Sequence, residues 1–252
     1  MIKTVTVKGI TIGEGLPKIC VSIIGGSLEE LQEEAKTVQK LDLDIVEWRV
    51  DFFEEVKKIE KVEEALAAIR AILIDVPLVF TFRSTKEGGE KEVDADYYVA
   101  LNKAMIETGQ VDLIDVELFS NAANDLIELA HTNGVFVIIS NHDFEKTPSK
   151  EEIVSRLRKA QEMGGDLPKI AVMPQSTADI LTLLEATHIM YEQYADRPII
   201  TMSMTGKGVI SRLAGEIFGS AITFGAAKKA SAPGQVEVAE LRETINLIHK
   251  YL

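Results

Sequence analysis

Apolar residues along this chain follow two alternating spacings. Short apolar runs recur near residues 18–24, 43–50, 77–83, 111–118, 135–141, 168–173, 198–204 and 220–225. Between them Leu, Ala and Ile fall at helical spacing with Glu and Lys interposed, as in Leu28 to Leu41, Val62 to Leu73, Ile153 to Met163 and Ala178 to Tyr191. The runs predict strands and the periodic segments predict helices. Strands alternating with helices pair in parallel through βαβ crossovers. Eight such units in about 235 residues match the dimensions of a (β/α)8 TIM barrel. A doubly wound open sheet is the competing arrangement, but Ile24-Gly25-Gly26 after the first long run is not a dinucleotide-binding G-x-G-x-x-G. Residues 1–16 predict a hairpin, with Thr4 to Val7 and Ile10 to Ile12 about Lys8-Gly9, covering the barrel floor. No linker or low-complexity segment divides the chain, so residues 1–252 read as one α/β domain.

Composition narrows the possible partners. The 252 residues are 46% hydrophobic and 27% charged, which excludes a mainly disordered chain. The net charge of −13 repels phosphate backbones and anionic membranes, so nucleic acid and membrane binding are not expected. A small anionic substrate stays compatible, since a local arginine cluster is enough to hold it. One cysteine allows no internal disulfide and fits a reducing cytoplasm. The first residues lack the apolar run of a signal peptide, and no stretch reaches the roughly 18 apolar residues of a membrane span.

The strands carry their chemistry on one face. Side chains alternate along a strand, and in a barrel one face meets the helices while the other fills the lumen. Val46, Trp48 and Val50 oppose Glu47, Arg49 and Asp51; Leu78, Phe80 and Phe82 oppose Val79, Thr81 and Arg83; Ile114, Val116 and Leu118 oppose Leu113, Asp115 and Glu117. The apolar faces suit the helical ring, which leaves the charges for the lumen. Buried charges destabilise a fold unless paired. An ion-pair network that merely fills the barrel accounts for any one of these residues; as a set, bunched toward the strands' C-terminal ends, they suit a barrel active site.

Two residues stand out within this set. Lys169 shares a strand face with Ala171 and Met173, placing an amine in the lumen with small or apolar neighbours on its own strand. A free lysine titrates near ~10.4, and holding it half neutral near pH 7.5 requires about 4 kcal/mol. A desolvated, neutral amine attacks a ketone to form a Schiff base. The competing reading is a lysine that snorkels to the barrel floor. His142 ends the fifth apolar run, where an imidazole transfers protons near neutral pH; it is equally compatible with a structural role. No second histidine or cysteine lies at metal-ligand spacing. Glu87, before Gly88-Gly89, could orient His142 or could be a solvated loop carboxylate. Arg212 can clamp a carboxylate bidentately. Ser231-Ala232-Pro233-Gly234-Gln235 could close over a ligand.

The sequence resembles type I 3-dehydroquinate dehydratase. The resemblance rests on Glu47-Trp48-Arg49-Val50-Asp51, Phe80-Thr81-Phe82-Arg83 with Glu87-Gly88-Gly89, Ser140-Asn141-His142-Asp143-Phe144, Pro168 to Pro174, Ser211 to Gly215 and Ser231 to Gln235, in family order across nearly the whole chain. It implies that Lys169 forms a Schiff base with 3-dehydroquinate, that His142 takes the proton beside the imine and returns it to the departing hydroxyl, and that Glu87 assists. It also implies substrate contacts for Ser22, Glu47, Arg49 and Arg83, carboxylate binding by Arg212 and closure by Ser231 and Gln235. The implied product is 3-dehydroshikimate, by syn elimination in the third step of the shikimate pathway. No metal or organic cofactor is called for, and a homodimer is expected. The residues by themselves leave two alternatives: a class I aldolase using the same lysine chemistry to break C–C bonds, and a barrel retained as a binding scaffold.

Overall fold

A computed structural model describes residues 2–227 and 234–252. It opens on an antiparallel hairpin, β1 (Val5–Val7) and β2 (Ile10–Ile12), paired Val5 to Ile12 and Val7 to Ile10. Its two-residue turn has positive φ at both Lys8 (46°) and Gly9 (81°), the twist that suits a tight hairpin. Eight parallel strands follow: β3 (Lys18–Ile23), β4 (Ile45–Arg49), β5 (Leu78–Thr81), β6 (Leu113–Glu117), β7 (Phe136–Asp143), β8 (Leu167–Val172), β9 (Ile200–Ser203) and β10 (Ile222–Ala226). All eight lie within one or two residues of the predicted runs.

The ladder runs β10-β3-β4-β5-β6-β7-β8-β9. Between β9 and β10 the seam closes on one parallel bridge, Ile199 to Ser220. Ala221 N–H donates to the Ile199 carbonyl (2.8 Å), and Thr201 N–H donates to the Ser220 hydroxyl (3.0 Å), a side chain standing in for a strand carbonyl. Nearer the mouth a short strand that the sequence does not predict, β11 (Val236–Glu237), pairs with β10 instead.

Helices α1 (Leu28–Val38), α2 (Ile59–Ile72), α3 (Ala95–Glu107), α4 (Ala123–Thr132), α5 (Lys150–Glu162), α6 (Thr177–Gln193), α7 (Val209–Leu213), α8 (Gly215–Phe218) and α9 (Val238–Lys250) alternate with the strands. Four of them start on side-chain caps: Ser27, Asp94, Ser149 and Ser176 each accept a backbone N–H from the first turn. Such caps satisfy donors that a helix start leaves open, and they fix where each βα loop ends.

The core has two principal layers. Outward strand residues pack on the helices; Trp48 sits there, edge-on to Phe53 and Phe80. Lumen-facing residues near the strand starts, including Cys20, Ile45, Val79, Leu113, Ile138, Leu167, Ile200 and Ile222, form a separate apolar cluster. Val5, Val7 and Ile12 of the hairpin complete that cluster from below, so the hairpin plugs the floor as its alternation predicts. No helix among the described residues is long and apolar enough to cross a membrane.

Candidate active site

One or two steps along the same strands the lumen becomes charged. Ser22, Glu47, Arg49, Arg83, Glu87, His142, Lys169, Arg212 and Gln235 line a single cavity of about 240 Å³ at the strands' C-terminal ends. Met202, Met204, Phe144 and Phe224 supply its apolar wall. Nine of the ten residues singled out in the sequence therefore meet in one place. The tenth, Ser231, lies outside the described residues.

Lys169 does not snorkel. Its residue is 5% exposed. The ammonium lies 3.3 Å from Asp115 Oδ2 and 3.7 Å from Glu47 Oε1, with the Phe224 ring centroid 4.7 Å away. This corrects the expectation of a dry apolar environment drawn from its own strand. Ala171 is indeed beside it, but β4 and β6 bring carboxylates. Asp115, read from the sequence as an inward charge with no role of its own, is the nearer of the two carboxylates. It is fully buried, accepts from Arg83 (2.8 Å) and the Ser140 hydroxyl (2.6 Å), and faces the amine with its other oxygen. Arg83 and Lys169 hold its carboxyl below the usual range against the opposing effect of burial. Strand alternation had already turned Asp115 inward; the missing signal was the register of β6 against β7 and of β7 against β8.

His142 sits on β7, whose register sets Ser140 beside Lys169 and His142 beside Ala171. Its Nδ1 meets Glu87 Oε2 at 2.9 Å, and its backbone N–H donates to the same oxygen at 2.9 Å. A carboxylate at Nδ1 selects the tautomer with the proton there and the lone pair on Nε2. Burial, then the cations Arg83, Lys169 and Arg49, press the imidazole pKa well below its ordinary value. His142 is thereby a neutral base at neutral pH. Glu87 moves the other way, up to about 7. Burial is the main cause and the Glu117 charge adds to it, while Arg83 and the Asn141 hydrogen bond pull it back.

The backbone explains how Glu87 arrives there. Residues Thr85–Glu87 form one 3-10 turn ended by Gly88 at φ 81°. A Cβ on Gly88 would overlap the Phe144 ring, and one on Gly89 would overlap the Arg83 carbonyl oxygen. Only glycines let the chain fold back this tightly over β5. Glu117 anchors the turn by accepting both the Ser84 N–H and hydroxyl, each at 2.8 Å. Asp51, fully buried, accepts Glu90 N–H (3.1 Å) and both Arg49 donors (2.8 and 2.7 Å).

The remaining polar groups divide into holders and openers. Arg83 is engaged by Asp115, Glu117 (3.2 Å), Ser140 (2.9 Å) and Glu87 (3.5 Å), so its guanidinium chiefly orders the wall. Glu47 accepts from the Ser22 hydroxyl (2.6 Å) and the Thr81 hydroxyl (3.0 Å). Arg212 projects from α7 with Met202 Sδ (3.7 Å) and the Phe224 carbonyl (3.5 Å) beside it. Burial pushes its guanidinium pKa down to about 10, so it remains a cation at neutral pH. A buried cation of this kind binds a carboxylate strongly.

The chain is similar to known proteins. The profile of the type I 3-dehydroquinase family matches residues 19–252. The chain belongs to that family. The 3-dehydroquinate dehydratase of Bacillus licheniformis is 63% identical over the full length of both chains. That of Listeria monocytogenes serovar 1/2a is 61% identical over 98% of each. The crystal structure of type I 3-dehydroquinate dehydratase from Clostridium difficile, solved with covalently modified comenic acid, superposes with a TM-score of 0.98 at 60% identity, covering both chains completely. The family match sets aside the aldolase and scaffold alternatives.

Proposed function

We propose that Lys169, His142 and Glu87 carry out the type I dehydration of 3-dehydroquinate to 3-dehydroshikimate in this chain. The observation that carries the assignment is the pairing of β7 with β8. It puts the Lys169 amine and the Glu87-backed imidazole on adjacent strands lining one cavity.

The Lys169 amine, once it has given up its extra proton, adds to the substrate ketone. Loss of water leaves a protonated imine on Nζ. That cation withdraws electrons from the neighbouring C–H bond, and His142 Nε2 removes the proton. The electron pair forms an enamine and then expels the hydroxyl on the next carbon. The proton held by His142 goes to the leaving oxygen, so one base on one face serves both transfers and the elimination is syn. Hydrolysis of the imine returns the amine and releases the enone. Glu87 stabilises the imidazolium that exists between the two transfers. Arg212 binds the substrate carboxylate. Glu47, with Ser22 attached, and Arg49, clamped by Asp51, present polar groups to the hydroxyls, while Gln235, beside β11, and Ser231 close the strand β10 loop.

Borohydride tests the central claim. Added during turnover, it should leave an inactive protein whose mass has risen by one reduced ligand on Lys169. An unmodified Lys169 overturns the assignment. Formation of the enone is followed directly by its ultraviolet absorbance. The charge balance, lone cysteine and family resemblance further support a cytoplasmic homodimer built from one barrel domain, residues 1–252. Sedimentation of the purified protein checks the dimer.

A further inference from the structure

The arrangement behind Glu87 extends outward past the groups that the reaction uses. Asn141 points to the opposite side of β7 from His142, and its amide nitrogen donates to Glu87 Oε1 at 3.1 Å. The amide oxygen accepts Arg156 from α5 at 2.9 Å. An asparagine amide is ambiguous by itself, since either end can face a partner. A guanidinium has only donors, so Arg156 must take the oxygen, and the N–H end is left for the carboxylate. Arg156 is in turn held by Glu152 (Nε, 2.7 Å) and Asp143 (3.7 Å), with the Phe119 ring beside its guanidinium. A chain of bonds polarised in one direction strengthens each member.

We propose that Asn141 and Arg156 are positioning residues for this reaction: a one-way relay from the outer helix α5 that keeps Glu87 ionised and aimed at His142. The proposal rests on the reading of Glu87 and His142 given above. Every charge near Glu87 bears on the balance. Arg83 after β5 supports the carboxylate, and Glu117 and Asp115 of β6 oppose it. His142 of β7 shares its proton. Around Arg156 stand Glu152 on its own helix, Asp143 at the end of β7, and Lys159, which shares the Phe119 ring. Without the relay the carboxylate loses a donor, and the Glu87–His142 pair takes up a proton more readily.

The acid limb of the kcat–pH profile reads the relay, because the pair titrates as a unit. Arg156→Met should move that limb up by about half a pH unit, a roughly threefold loss of rate below it, with KM held. Arg156→Lys, which keeps a donor, should return the limb to the wild-type position. Asn141→Leu should move it up by about one unit; Arg156→Met stands alone if that buried variant fails to fold. A purely structural role would change melting temperature and kcat at all pH values without moving the limb, and would sink the proposal. So would a shift that disappears in 1 M salt, where the Debye length is only about 3 Å, because it would reflect bare charge at a distance. Glu87→Gln separates the two levels. If it displaces the acid limb and Arg156→Met does not, the relay alone is wrong. If Glu87→Gln leaves the limb in place, the assignment of Glu87 falls and takes the relay with it.

Discussion

The two ends of the barrel lumen are built by the same strands and obey opposite rules. At the floor, Ile45, Val79, Leu113, Ile138, Leu167 and Ile200 interlock with the hairpin. Two residues along, the positions that face inward are Glu47, Thr81, Asp115, Ser140, Lys169 and Met202. The floor buries apolar area, which stabilises at roughly 25 cal/mol per Å². The mouth buries ions whose attraction does little more than offset their desolvation. Floor residues therefore hold the fold, and mouth residues hold a geometry that only the reaction rewards.

Substitutions at the two ends should separate along those lines. The largest effect belongs to the mouth. His142→Ala should lower kcat by about 10²–10⁴-fold, leave thermal stability undiminished and still allow borohydride to trap the substrate on Lys169; turnover near the wild-type rate would remove His142 from proton transfer. Next comes Leu113→Ala at the floor, which should cost about 2–5 kcal/mol of folding stability. Urea unfolding measures that loss, and kcat per folded molecule should not change. A fall in kcat there would mean that floor packing reaches the site. The smallest effect is that of Arg212→Ala, where KM should rise about 10–100-fold from loss of a charge-assisted pair, with a lesser change in kcat. An unaltered KM would move the carboxylate subsite elsewhere.

What the sequence disclosed, and what it hid, follows the same division. Strand alternation has a period of two and needs no tertiary knowledge, so the eight strands, the hairpin and the inward turn of Glu47, Arg49, Asp115 and Glu117 were legible. Lys169 and His142 were picked out by chemistry and strand position, and the resemblance gave each a role. Contacts between strands were hidden, because register is set by the closed barrel and not by any one run. That is why the closeness of Glu47 and Asp115 to Lys169 was missed when its own strand showed only Ala171 and Met173. The Ser220 seam and β11 were hidden for a similar reason. A hydroxyl substituting for a strand carbonyl, and a two-residue strand, leave no periodic trace. The Asn141–Arg156 contact joins a strand residue to a helix residue 15 positions away, and nothing in either local pattern announces it.

The hairpin seal makes the barrel a cup and not a tube. Val5, Val7 and Ile12 stop the lower end, so among the described residues keto acid, enone and the eliminated water share the doorway at the strands' C-terminal ends. Traffic through it is single-file in time: a fresh molecule can seat itself only after the previous one has left.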